Sequence, residues 1–144
     1  MTSGTTATTL GRLLSQVEQR VARRTVGALG TAPDAPTLDQ WRVLELLADG
    51  VGHSMAEIAG YAMVPAPTLT KIVDRLVDAA LVYRRVDDAD RRRVLVYLSE
   101  HGRELHDRLV PAVQGVERDI ADELGADDTA QLRDLLSRLA ERLG

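Results

Sequence analysis

The periodicity of the chain changes at Leu81. Before it, "TLTKIVDRLVDAALV" sets Leu69, Ile72, Val73, Leu76 and Val77 in a tight apolar stripe, the spacing of an amphipathic helix. After it, "LVYRRV" and "RVLVYLS" are β-branched and aromatic-rich runs joined by a charged connection, which predicts an antiparallel hairpin with a long tip. Helical periodicity returns after Ser99, itself a candidate cap. The expected class is therefore mainly α with one small β-hairpin.

Helices are predicted on both sides of that switch. Residues 1–9 read as a frayed tail, and from Leu10 the apolar positions Leu10, Leu13, Leu14, Val17 and Val21 predict a helix reaching about Ala28. "GTAPDAP" breaks it. "TLDQWRVLELLADG" restarts a helix with Thr37 and Gln40 at capping-box spacing and Gly50 just beyond its end. Trp41, Leu44, Leu47 and Ala48 share one face there, with Trp41 as a core anchor. "HSMAEIAGYA" predicts a short helix capped by Ser54 with Glu57 three residues on, and the helix carrying the Leu69 stripe begins near Pro65. Leu105, Leu109, Val113, Val116, Ile120 and Leu124 mark a long helix. "GADD" is expected to interrupt before a last stripe of Leu132, Leu135, Leu136, Leu139 and Leu143.

At 144 residues the chain has the length of one domain, and 44% hydrophobic with 28% charged residues is the composition of a folded protein. There is no Phe and no Cys, so the core is aliphatic and thiol chemistry is excluded. No window approaches the ~18 apolar residues of a membrane span, and the N-terminus lacks a targeting pattern, so a cytoplasmic protein is expected. The net charge of −4 argues against nucleic acid until its distribution is read. Residues 1–29 carry four Arg against one acid and residues 61–103 eight bases against six acids, whereas residues 104–144 carry ten acids against five Arg. The acidity is concentrated at the C-terminal end.

Two short helices, a tight turn and an immediate hairpin make a winged helix-turn-helix, whose second helix enters the major groove. Thr68, Thr70, Lys71 and Arg75 supply donors and charge on that helix. The hairpin tip, "DDADRRR", holds three Asp and three Arg, so it does not simply raise the positive potential. Asp90 stands two positions before Arg92, close enough to hold its guanidinium in one direction while Arg91 and Arg93 stay free, and a wing so aimed can lay an arginine in the minor groove. A surface ion pair that only shapes a turn is the plainer alternative.

Residues 37–102, from "LDQWRVLELLADG" through "SMAEIAGYAMVPAPTLTKIVDRL" and the Asp87 to Arg92 segment to "LSEHG", resemble the MarR family of winged-helix transcription regulators. The resemblance implies a homodimer on a pseudo-palindromic operator, usually a repressor. It places Pro65, Ala66, Thr68, Thr70, Lys71 and Arg75 in the recognition helix, Asp90, Arg91, Arg92 and Arg93 in the wing, and His53 and Ser54 at the supporting helix, His53 being a polar turn residue or a phosphate contact. "VPAPT" departs from the family pattern, which often has Ser or Arg at Pro65 and Ala66. The resemblance also implies a small-molecule pocket, here lined by Leu14, Val17, Trp41 and Leu109.

The implied organisation is a DNA-binding domain over residues 37–99 and a helical dimerisation region from residues 10–36 and 100–144. Leu10, Leu13, Leu14 and Val17 with Leu132, Leu135, Leu136 and Leu139 are the candidate intersubunit contacts, because these stripes exceed what so small a domain can cover. The expected partners are double-stranded DNA, a second copy of the chain and a small-molecule effector, with no membrane and no cofactor. No enzyme motif is present: His53, His101 and His106 fall in no HExxH, and there is no P-loop or G-x-S-x-G. A His and carboxylate metal sensor of the same fold, for which no ligand set is evident, and a winged interaction module that has lost DNA binding are the alternatives.

Overall fold

A computed structural model of the chain describes residues 7–144. The elements run α1 (Leu10–Leu29), α2 (Leu38–Leu47), β1 (His53–Ser54), α3 (Met55–Ala62), α4 (Ala66–Asp78), β2 (Val82–Val86), β3 (Val94–Leu98), α5 (Glu100–Leu124) and α6 (Ala126–Leu143). Most of the predicted tail, residues 1–6, lies outside the described residues. Its last residue, Thr9, caps α1 by accepting from the Arg12 N–H at 3.2 Å.

Side-chain caps set several helix starts. Thr37 Oγ1 accepts from the Gln40 N–H while Gln40 Oε1 accepts from the Thr37 N–H, the reciprocal pair expected from their spacing. Ser54 Oγ accepts from the Glu57 N–H at 3.2 Å, but the Glu57 carboxylate does not return to the Ser54 backbone and is used elsewhere. Between α5 and α6 only Gly125 breaks the helix, at φ 84. Ala126, Asp127 and Asp128, expected in the interruption, form the first turn of α6, where the two carboxylates face the positive end of the helix dipole.

The hairpin forms as predicted, with Tyr83 opposite Tyr97 and Arg84 opposite Val96. The sheet has a third member that the sequence did not suggest. β1 pairs antiparallel with β3, His53 opposite Val96, so the sheet order is β1-β3-β2. Two residues carry no readable alternation, which hides such a strand. Through it the wing is hydrogen-bonded directly to the start of α3.

The core joins the helix-turn-helix to the wing. Val43, Leu44, Leu47, Ile58, Ala62, Leu69, Val73, Leu76, Val82 and Val96 are buried together with Leu105 of α5. Full burial of such aliphatic side chains contributes roughly 1.5–3 kcal/mol each before entropy is counted. Trp41 is buried too, stacked on His106 with ring centroids 5.1 Å apart. By contrast α1 buries only Leu29 and α6 buries nothing. Leu10, Leu13, Leu14, Val17, Leu132, Leu135 and Leu136 are exposed on those two helices, Leu10 at 63%, and Leu139 is half-buried. Among the described residues no helix is long and apolar enough to cross a membrane.

Candidate nucleic-acid interface

α4 is divided lengthwise. Leu69, Val73 and Leu76, at i, i+4 and i+7, face the core. Thr68, Lys71 and Arg75, also at i, i+3 and i+7, form an exposed stripe on the other side. Thr70 lies to one edge of that stripe, and its hydroxyl donates back to the Ala66 carbonyl at 3.1 Å, so its oxygen faces outward only as an acceptor. Pro65 takes the cap position, where its missing N–H is no loss, and Ala66 opens the helix; both are exposed. Asp74, at the edge of the stripe, is paired with Arg84 of β2, and exposed Asp78 closes the stripe at the C-terminal end of α4.

The turn before α4 runs through Met63, a left-handed residue at φ 55, ψ 46 that ends α3. Together with Val64 and Pro65 it redirects the chain so that α4 follows α3 at once.

At the wing tip the acids organise the backbone. Asp87 Oδ1 accepts from the Ala89 N–H at 3.0 Å and Asp90 Oδ1 from the Arg92 N–H at 3.1 Å, two side-chain turns in succession. The same Asp90 oxygen lies 3.4 Å from Arg92 Nε. Asp90 and Arg92 are thus paired as the sequence suggests, and the Arg92 side chain is 94% exposed. An ion pair this open adds little stability. Arg91 is exposed. Arg93 differs from the expectation of a free neighbour: its Nη2 donates to Glu57 Oε1 at 2.6 Å, tying the foot of β3 to α3.

His53 is neither an exposed turn residue nor a ready phosphate contact. It sits in β1 with its side chain only 14% exposed, between Asp49 and Glu57. Partial burial acts most strongly on it and would lower its pKa, but the bonds and charges of the two carboxylates outweigh this and hold it above the ordinary imidazole value. Glu57 is held below the usual carboxylate range first by its bond to His53, then by that to Ser54. Asp49 is lowered too, since the Val51 N–H and His53 offset the upward push of burial. The only sequence trace of this cluster is the four-residue spacing of Asp49, His53 and Glu57, and the Arg93 contact crosses 36 positions.

A cavity of about 720 Å³ lies between α1, α2, α5 and α6, walled by Leu14, Val17, Trp41 and Leu136, with Glu18 and Arg42 paired at 3.3 Å on its polar side. Leu109, expected in that lining, packs against the central core instead. The buried Trp41 Nε1–H has no acceptor. Among the described residues no group of three or more His, Asp or Glu is placed to hold a metal ion.

A polar helix face presented beside an arginine-tipped hairpin is the arrangement of a winged helix-turn-helix regulator. A MarR family model matches residues 36–93. The transcriptional regulator FarR of Neisseria gonorrhoeae is 34% identical over 105 residues, covering 73% of this chain and 72% of FarR. The transcriptional repressor CouR, bound to a 23-mer DNA duplex, matches with a TM-score of 0.80 at 28% identity over 92% of each chain. NadR in complex with 4-hydroxyphenylacetate matches with a TM-score of 0.81 at 29% identity, over 97% of this chain and 98% of NadR. The chain belongs to the MarR family and is a transcriptional regulator rather than an enzyme.

Proposed function

We propose that this regulator is a sequence-specific DNA-binding repressor that acts as a homodimer and is released by a small-molecule effector. The carrying observation is the exposed Thr68, Lys71 and Arg75 stripe of α4 together with an exposed Arg92, paired with Asp90, at the tip of the hairpin that follows it. In this reading α4 enters the major groove, where Thr68 contacts base edges and Lys71 and Arg75 reach bases or phosphates. Arg92, aimed by Asp90, enters the neighbouring minor groove, and Arg91 neutralises phosphate. Ser54 starts the supporting helix and Arg93 anchors the wing to it.

One chain carries one recognition helix and one wing, enough for a half-site. Two half-sites about 34–36 Å apart call for two copies. The exposed Leu10, Leu13, Leu14 and Val17 of α1 and Leu132, Leu135 and Leu136 of α6 support an intersubunit helical bundle, since an apolar face this long is costly to leave in water.

The cavity beneath α1 supports the effector site. Its walls are mainly apolar, with the Glu18 and Arg42 pair on its polar side, which suits an apolar ligand carrying one polar group. An effector releases DNA only if it binds better to a dimer whose recognition helices are wrongly spaced. NadR is a neighbour bound to such a small molecule.

The test is a fluorescence-anisotropy titration against the chain's own upstream intergenic DNA and a scrambled duplex, at two salt concentrations. Tight binding to the native duplex alone, weakening with salt by a log–log slope of about −0.9 per phosphate neutralised, is expected. Binding that is equal and weak on both duplexes would favour a winged interaction module.

A further inference from the structure

His53 is bonded through both ring nitrogens to carboxylates, Nε2 to Asp49 Oδ2 at 2.7 Å and Nδ1 to Glu57 Oε2 at 2.9 Å. A neutral imidazole has one N–H and one lone pair, so two carboxylate acceptors at these distances call for the doubly protonated ring. Glu57 carries the connection onward, its Oε1 accepting from Arg93 at 2.6 Å and from Ser54 Oγ at 3.1 Å. Asp49, His53, Glu57 and Arg93 therefore form a line of alternating charge from the end of α2, across β1 and the first turn of α3, to the foot of the wing. From the other neighbouring elements, Arg103 of α5 donates to the Ala48 carbonyl at 3.1 Å, and the ring of Tyr97 on β3 packs against Gly52. Neither brings a further carboxylate to the imidazole.

We propose that His53 and Glu57 are positioning residues that hold Arg93, and with it the base of the wing, in place for DNA, and that the proton on His53 controls this clamp. The inference rests on the DNA-binding reading above. Loss of the proton removes one of the two donors, so one carboxylate faces a lone pair and is repelled. The four side chains also pass from net zero to net −1 beside the path of the phosphates. Both changes weaken DNA binding as pH rises. The carboxylates hold His53 above its ordinary 6.5, so the transition lies above that value.

The experiment uses the full chain and the highest-affinity duplex that it selects from a random-sequence pool at about pH 6. Its Kd is measured by anisotropy from about pH 6 to about pH 8.5 at constant ionic strength, for the wild type, His53→Gln and Glu57→Gln. One charge gained near phosphate is expected to weaken wild-type binding roughly three- to tenfold across that range; His53→Gln should lose the dependence, and Glu57→Gln, in which His53 still titrates beside Asp49, should keep only the smaller part that comes from charge. In parallel, NMR of the DNA-free wild type should show the Arg93 guanidinium resonances shifting with the midpoint of the His53 imidazole, and Glu57→Gln should uncouple them. A pH slope on DNA that His53→Gln leaves unchanged, or an Arg93 signal indifferent to the His53 titration, overturns the clamp alone. Failure to select any duplex overturns the DNA-binding reading on which it stands.

Discussion

Gly102 lies so close to Leu81 that a Cβ built on it would sit 2.0 Å from the Leu81 carbonyl oxygen. The same carbonyl accepts from the Ser99 N–H at 3.0 Å, and Ser99 Oγ bridges the Ala80 carbonyl and the Gly102 N–H. The entry to the wing and its exit into α5 are thereby fastened at one point.

Gly102→Ala should therefore destabilise the protein, since backbone rather than a flexible side chain must move. A loss of roughly 1–3 kcal/mol is expected, the range for overpacking a filled site. Urea denaturation followed by circular dichroism measures it, and an unchanged midpoint would contradict the close approach.

Ala80→Gly should do the reverse. The Leu81 N–H bonds to the Leu76 carbonyl and the Ala80 N–H to the Val77 carbonyl, a Schellman closure of α4 with Ala80 at φ 59. Glycine adopts that conformation without the Cβ penalty, and a gain of about 0.5–1 kcal/mol is expected in the same denaturation assay.

Two substitutions separate aiming from charge at the wing tip. Arg92→Ala should weaken binding to the selected duplex by about tenfold or more. Asp90→Asn leaves the arginine but loosens its direction, so a smaller loss is expected, within about fivefold. Lys71→Ala, which removes one cation from the α4 stripe, should lower the salt slope by about one where Lys71 neutralises a phosphate. Equal affinities for the wild type and Arg92→Ala would remove Arg92 from the interface.

Stability should pass through a maximum on the acidic side of neutral. His53 has a raised pKa, so its contribution is complete below its ordinary 6.5 and is lost as pH rises through the folded value. Asp49 and Glu57 have lowered values, so theirs is present above the ordinary 3.8 and 4.5 and is lost as pH falls through the folded values. Thermal melts across pH should show the alkaline decline in the wild type and a flatter profile in His53→Gln.

Removing residues 126–144 should abolish dimerisation, because α6 contributes Leu132, Leu135 and Leu136 to the uncovered apolar surface. Sedimentation velocity reads this directly. A truncated chain that still sediments as a dimer would move the interface elsewhere.

Sequence alone determined the order and type of the main elements, because each rests on short-range chemistry. The stripe of α4 is set by a 3.6-residue period, the start of α2 by Thr37 and Gln40, and the hairpin by alternating β-branched residues. The Asp90 and Arg92 pair was readable for the same reason, being two positions apart in a tight turn. Tertiary structure alone decided what depends on distant partners. β1 is too short to show a period and exists because β3 passes beside it. Glu57, spaced like a capping residue for Ser54, is drawn instead to His53 and Arg93, since charged partners brought within 3 Å by the fold outweigh a bond to one backbone N–H. Leu109 and Trp41 lie on similar apolar stripes, and only the packing of α5 on α2 set the half-buried Leu109 against the central core and the buried Trp41 at the cavity wall.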